Sequence, residues 1–138
     1  MTTDRSSAGK NQALIIDDTP IIRSLLSEAL CEKGYEVRTA PDGLSGLEMA
    51  TQLRPQVIFC DTYMPDLDGF ETMRRLREAL PDAVLVMTNS LPQTSKEQAM
   101  AEASVDYVLN KPFGLDELWT VLEEIKGKLL SPKFSSRT

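Results

Sequence analysis

Two hydrophobic patterns alternate along this chain. Unbroken apolar runs, Q-A-L-I-I (12–16), V-I-F-C (57–60) and A-V-L-V-M-T (83–88), read as strands buried on both faces. Y-E-V-R-T (35–39) alternates as a half-buried strand does, and Y-V-L (107–109) is a short fifth run. Between them apolar positions recur at helical spacing. Ile22, Leu25, Leu26, Ala29 and Leu30 mark a first helix, with Thr19 as N-cap, Pro20 at its first position and Gly34 as its stop. P-D-G (41–43) opens a second helix carrying Leu44, Leu47, Met49, Ala50 and Leu53, which Pro55 ends. Phe70, Met73, Leu76, Ala79 and Leu80 mark a third, ending at Pro81. Residues 93–103 predict a short polar helix with few apolar anchors, and Leu115, Leu118, Trp119, Leu122, Ile125 and Leu129 form the stripe of a last one.

The order is strand–helix repeated five times. Parallel strands need crossover connections, which are right-handed almost without exception. The expected fold is therefore an α/β protein: a doubly wound, five-stranded parallel sheet with helices on both faces, (βα)5 and flavodoxin-like. Length fits one domain over 11–130, with a polar, disordered tail at 1–10 and a tail or linker stump at 131–138.

Composition narrows the function. A hydrophobic share of 41% and a charged share of 26% suit a soluble globular protein. The net charge of −6 argues against a nucleic-acid surface. The chain has no histidine, which removes His-based catalysis and most zinc sites. Cys31 and Cys60 lack metal-type spacing and lie in apolar surroundings, so buried free thiols in a reducing compartment are expected. No run is long enough to span a membrane and the start is no secretory signal, so a cytoplasmic location is the default.

In doubly wound sheets ligands bind beyond the carboxyl ends of the strands. Those ends carry Asp17-Asp18, Cys60-Asp61, Met87-Thr88-Asn89 and Asn110-Lys111-Pro112. Crowded carboxylates disfavour one another's ionisation, and a divalent cation resolves the conflict. An all-oxygen donor set suits a hard ion such as Mg²⁺. Lys111 adds a mobile positive charge and Thr88 a hydroxyl, which together suit a metal-bound phosphoryl group. No phosphate-binding G-x-x-x-x-G-K-[ST] loop is present, so a carboxylate acting as the nucleophile and forming an acyl phosphate is the better reading.

The segments I-I-D-D-T-P, V-I-F-C-D-T-Y-M-P-D-L-D-G-F-E, V-L-V-M-T-N-S and D-Y-V-L-N-K-P-F, in this order, resemble the receiver domain of bacterial two-component response regulators, of which chemotaxis regulators are single-domain examples. The resemblance covers roughly residues 12–130. It implies a phosphorylation switch rather than a turnover enzyme. Asp61 would accept a phosphoryl group from a sensor histidine kinase or phosphotransfer protein. Asp17, Asp18, Asp61 and the backbone carbonyl of Tyr63 would hold Mg²⁺. Lys111, preceding a cis peptide to Pro112, would pair with the phosphoryl oxygens. Thr88 would be the switch hydroxyl and Tyr107 the switch aromatic. The output would pass to a protein partner, or a second copy, through the 93–103 helix, the fifth strand and the last helix, with no direct contact to nucleic acid or membrane. The last helix lacks arginine, so the salt-bridged dimer of one large DNA-binding subfamily is not expected. The chain reads as a stand-alone regulator or an excised domain.

Departures from the family pattern matter. The switch aromatic belongs three residues before the lysine; Tyr107 stands four before Lys111, which predicts an inserted residue, with Asn110 as a bulge. Tyr63 is bulky and Asn89 replaces the usual Ala or Gly, so both are expected to modulate the phosphoryl pocket and slow self-dephosphorylation. Asp66 and Asp68 read as turn formers and a cap for the third helix. Two other functions compete: an aspartate-nucleophile phosphatase of the haloacid dehalogenase type, with its nucleophile in D-D-T (17–19), and a pseudo-receiver that binds partners unphosphorylated.

Overall fold

The computed structural model describes residues 11–90, 98, 101 and 103–130. The elements run β1 (Gln12–Ile16), α1 (Pro20–Glu32), β2 (Glu36–Ala40), α2 (Gly43–Leu53), β3 (Val57–Asp61), α3 (Gly69–Ala79), β4 (Val84–Asn89), β5 (Tyr107–Asn110) and α4 (Leu115–Leu129). Both expected tails lie outside the described residues. Of the expected 93–103 helix only Gln98, Ala101 and Ala103 are described, each helical.

All strand pairs are parallel, in the order β2-β1-β3-β4-β5. The chain moves outward from β1 to β2, then crosses back to β3, so strand order reverses between β1 and β3. That is where a doubly wound sheet opens a crevice at its carboxyl edge.

The apolar strand runs divide between two layers because successive side chains point to opposite faces. Leu14, Ile16, Ile58, Cys60, Leu85, Met87 and Val108 pack with Ala50 of α2 and Met73 and Leu76 of α3. Ala13, Ile15, Val57, Phe59, Val84, Val86 and Leu109 pack with Leu26, Ala29 and Leu30 of α1 and Leu118, Leu122 and Ile125 of α4. Trp119 is half-buried at the margin of this second layer, with the Lys33 ammonium 4.8 Å above its ring.

Several local expectations change. Thr19 stands at the N-cap of α1 but makes no side-chain cap; its amide instead donates to Asp17 Oδ1 at 2.9 Å. Cys31 is exposed, because it falls on the outer face of α1, whereas Cys60 is buried as expected. The bulge at Asn110 is absent: β5 pairs with β4 in unbroken register, from Val86↔Tyr107 to Asn89↔Asn110. Tyr107 therefore belongs to the α1/α4 face, under Lys128 at 5.6 Å, and Val108 takes the place three before Lys111 on the α2/α3 face.

At the opposite, amino end of the sheet, Asp106 joins four elements. Its Oδ2 accepts from the Leu85 amide and Arg77 Nη2, and its Oδ1 from Lys128 Nζ, each at 2.9 Å. Arg77 also donates to the carbonyls of Pro81, Ala83 and Ser104. No helix among the described residues is long and apolar enough to cross a membrane.

Burial alone would push the Asp106 carboxyl up, but the Leu85 amide and the Lys128 and Arg77 cations outweigh it and hold the group below its usual value. A depressed carboxyl stabilises the fold above its unfolded pKa of about 3.9, and that stabilisation fades as pH falls through the lower folded value. Asp106→Asn should cost about 1.5–3 kcal/mol at pH 7, the range for hydrogen bonds to a charged group. Urea denaturation of both proteins should show the gap narrowing towards pH 3 or below; an equal gap at both pH values would refute the assignment.

Candidate functional site

The carboxyl ends of β1 and β3 deliver the acids. β1 ends at Ile16 and its next residue, Asp17, is only 1% exposed; Asp61 closes β3 at 3% exposed, while Asp18 points outward. Carboxylate oxygens of Asp17, Asp18 and Asp61 lie within 4.8 Å of one another. Lys111 arrives from the loop after β5, and its Nζ sits 3.0 Å from Asp17 Oδ2 and 3.4 Å from Asp61 Oδ1. The Lys111–Pro112 peptide is cis, as the resemblance implied.

Each acid is held by its neighbours. Asp17 Oδ1 takes the Thr19 amide, and the Asp17 carbonyl accepts Arg23 Nη1 at 2.7 Å, which ties the strand end to α1. Thr88 pairs in register with Asp61 and is 1% exposed; its carbonyl accepts the Thr62 amide at 3.1 Å. The loop after Asp61 folds back so closely that a side chain on Gly69 would meet the carbonyls of Asp61 and Thr62, and the Gly69 amide donates to the Thr62 carbonyl at 3.1 Å. Tyr63, at the start of that loop, is 63% exposed.

One participant was not singled out from sequence. Ser90 Oγ lies 3.3 Å from Asp61 Oδ1 and 3.3 Å from Thr62 Oγ1, and the Ser90 amide donates to Thr62 Oγ1 at 3.0 Å. The signal was available: Ser90 is two residues beyond Thr88, so it points the same way from the extended chain. Asn89 is 4% exposed and donates from Nδ2 to Asn110 Oδ1 at 2.9 Å, which bridges the ends of β4 and β5. Asn110, expected as a bulge, is instead one half of this bridge.

Asp66 and Asp68 have separate tasks. Asp68 caps α3 through the Phe70 amide, but Asp66 reaches back to α2 and accepts the amides of Gly43 and Leu44. Tyr107 lies one residue and one sheet face away from the place the resemblance assigns to the switch aromatic.

The electrostatics suit a dication. Three carboxylates and one ammonium leave two negative charges. The donors are hard oxygens, as Mg²⁺ prefers. The Asp61 carboxyl is pushed up by burial, pulled down by Lys111 and pushed up again by Asp17, with a net rise. Burial, reinforced by Asp61 and Asp17, pushes the Cys60 thiol well up, so it stays protonated and inert.

Comparison with known proteins fits this geometry. The family model for the response regulator receiver domain matches residues 13–123. The chain belongs to this family. The receiver is 38% identical over 107 residues to the DNA-binding dual master transcriptional regulator RpaA of Synechocystis, covering 76% of this chain and 44% of that protein. It spans less than half the length of the curated relatives it matches. Among solved structures, the receiver domain of AraT from Geobacillus stearothermophilus superposes with a TM-score of 0.78 at 34% identity, over 86% of this chain and 95% of that one. The Thermotoga maritima regulator TrrA, solved with Mg²⁺ and beryllofluoride, gives 0.74 at 28% identity, over 83% and 98%. The receiver thus has a two-component signalling fold, and its acidic pocket fits Mg²⁺.

A carboxyl whose pKa is raised on folding costs stability at every pH where it ionises in the unfolded chain, above about pH 4, and costs nothing below that. Asp61→Asn should therefore raise the melting temperature of the metal-free receiver at pH 7 and leave it unchanged near pH 3. Calorimetric melting at both pH values tests this; a lower melting temperature at pH 7 would contradict it.

Proposed function

We propose that the receiver takes a phosphoryl group on Asp61 from a phosphohistidine of a sensor histidine kinase or phosphotransfer protein and signals by changing conformation. The observation that carries this is the placing of Asp17, Asp18 and Asp61 within one ion's reach, with Lys111 between two of them. Asp17, Asp18, Asp61 and the Tyr63 carbonyl are the residues that would hold Mg²⁺. Bound there, Mg²⁺ supplies charge neutralisation for the carboxylates and the phosphoryl oxygens.

In this reading an Asp61 carboxylate oxygen attacks phosphorus, an O–P bond forms, and the P–N bond to the donor imidazole breaks with its electron pair leaving on nitrogen. Lys111 moves from its carboxylate partners to the incoming phosphoryl oxygens. Thr88, on the neighbouring strand, turns its hydroxyl to the same group and draws the following chain with it. Tyr107 is off the expected register, so Val108 occupies the place from which an aromatic ring would follow Thr88. The receiver does not turn over a substrate; it holds the acyl phosphate until hydrolysis. It acts in the cytoplasm and signals to a protein partner or a second copy through the 93–103 segment, β5 and α4. RpaA is called DNA-binding as a whole protein; with a net charge of −6, this chain contacts no nucleic acid itself.

Incubation with Mg²⁺ and a small phosphodonor such as acetyl phosphate should add one phosphoryl group to the wild-type chain and none to Asp61→Asn, measured by intact mass. Equal incorporation in both, or none in either, would refute the reading. Tyr63 and Asn89 flank the path of the hydrolytic water. Tyr63→Ala should accordingly speed phosphate release from the phosphorylated chain severalfold, followed as a time course.

A further inference from the structure

The loop from Thr62 to Asp68 is held at several points, among them the contacts of Thr62 with Thr88 and Ser90 and the buried Met64 side chain. At its base the Gly69 amide donates to the Thr62 carbonyl. Near its tip Asp66 leaves the loop altogether and reaches α2: Oδ1 accepts the Gly43 amide and Oδ2 the Leu44 amide, each at 3.0 Å. These are the first two amides of a helix that have no partner within it. The third, Ser45, is taken by the helix's own N-cap, Asp42, at 2.9 Å. One carboxylate from 23 residues away thus does what capping residues do locally.

The fit is close. A side chain on Gly43 would stand 2.8 Å from Thr72 Oγ1 and 3.0 Å from Leu67 Cβ. The start of α2 is therefore pressed against both the loop and α3. The Asp66 carboxyl, slightly raised by what burial it has, is held below its usual value by the Leu44 and Gly43 amides and by those of its own loop, so it is ionised at neutral pH. Only Tyr63, Met64 and Pro65 separate Thr62 from this anchor.

We infer that Asp66 is a positioning residue for the metal: it fixes the loop carrying the Tyr63 carbonyl by anchoring it to the first turn of α2, so that metal occupancy and the order of that turn are coupled. This rests on the proposed Mg²⁺ site. Coupling is reciprocal, so an ion that orders the loop also orders the first turn of α2. Asp42 is the internal control. It caps the same helix turn without touching the loop.

The test uses the full chain and Mg²⁺ alone. Mg²⁺ affinity is measured by titration calorimetry, and exchange of the Gly43 and Leu44 amides by NMR with and without Mg²⁺. In the wild type, Mg²⁺ should slow exchange at both amides. Asp66→Ala should weaken Mg²⁺ binding about fivefold or more, the lower end of typical coupling. Asp66→Asn, which keeps one acceptor oxygen, should fall between the two and covers the case in which the alanine variant does not fold. Asp42→Ala should lower the melting temperature and weaken Mg²⁺ binding by clearly less than Asp66→Ala does, because it loosens the turn while leaving the loop's own anchor in place. Unchanged Mg²⁺ affinity in the Asp66 variants, equal weakening in Asp42→Ala, or wild-type amides indifferent to Mg²⁺ would each overturn the inference. If the wild type binds no Mg²⁺ at all, the metal site itself falls, and the inference with it.

Discussion

The ammonium of Lys111, set 3.0 Å from Asp17 and 3.4 Å from Asp61, makes the carboxyl edge of this sheet tenable. Two nearly buried carboxylates on adjacent strands repel each other where water screens poorly. One cation from a distant part of the chain lies against both. It does not cancel them, since Asp18 is also present, and the remaining double negative charge is what a dication would meet.

This arrangement places opposing demands on the sheet. Its strands must be apolar enough to be buried on both faces and must stop in unison, so that polar residues emerge together. β1 and β3 do so in register, with Ile16 beside Cys60, and their next residues, Asp17 and Asp61, carry the charge. The opposite end of the sheet is tied together by Asp106, which collects Arg77, Lys128 and the Leu85 amide. One end holds a carboxylate paired with two cations, and the other a cluster of three carboxylates that shares one. The division follows from chemistry: a group that must accept a ligand cannot also be saturated by the protein.

Around the acids, small polar contacts connect elements that lie far apart in the chain. Ser90 touches Asp61 and Thr62, Asn89 bridges to Asn110, and Asp66 crosses from the loop after Asp61 to α2. Each contact is modest. Together they tie the loops at this edge to one another across elements that are distant in the chain.

Much of this was legible in the order of residues. Strand and helix periodicity, the doubly wound topology and the clustering of Asp17, Asp18, Asp61 and Lys111 followed from apolar runs ending in charge, because burial patterns and crossover geometry leave few alternatives. What remained hidden depends on register and on contacts between distant loops. Spacing from Lys111 suggested an inserted residue, but β5 pairs without a bulge, so Tyr107 faces α4 and Val108 the other layer. Asp66 looked like a local turn former, and only folding shows its carboxylate on another helix. Local patterning reports which face a residue needs. The partner it meets there is chosen by the three-dimensional packing of segments that share no sequence neighbourhood.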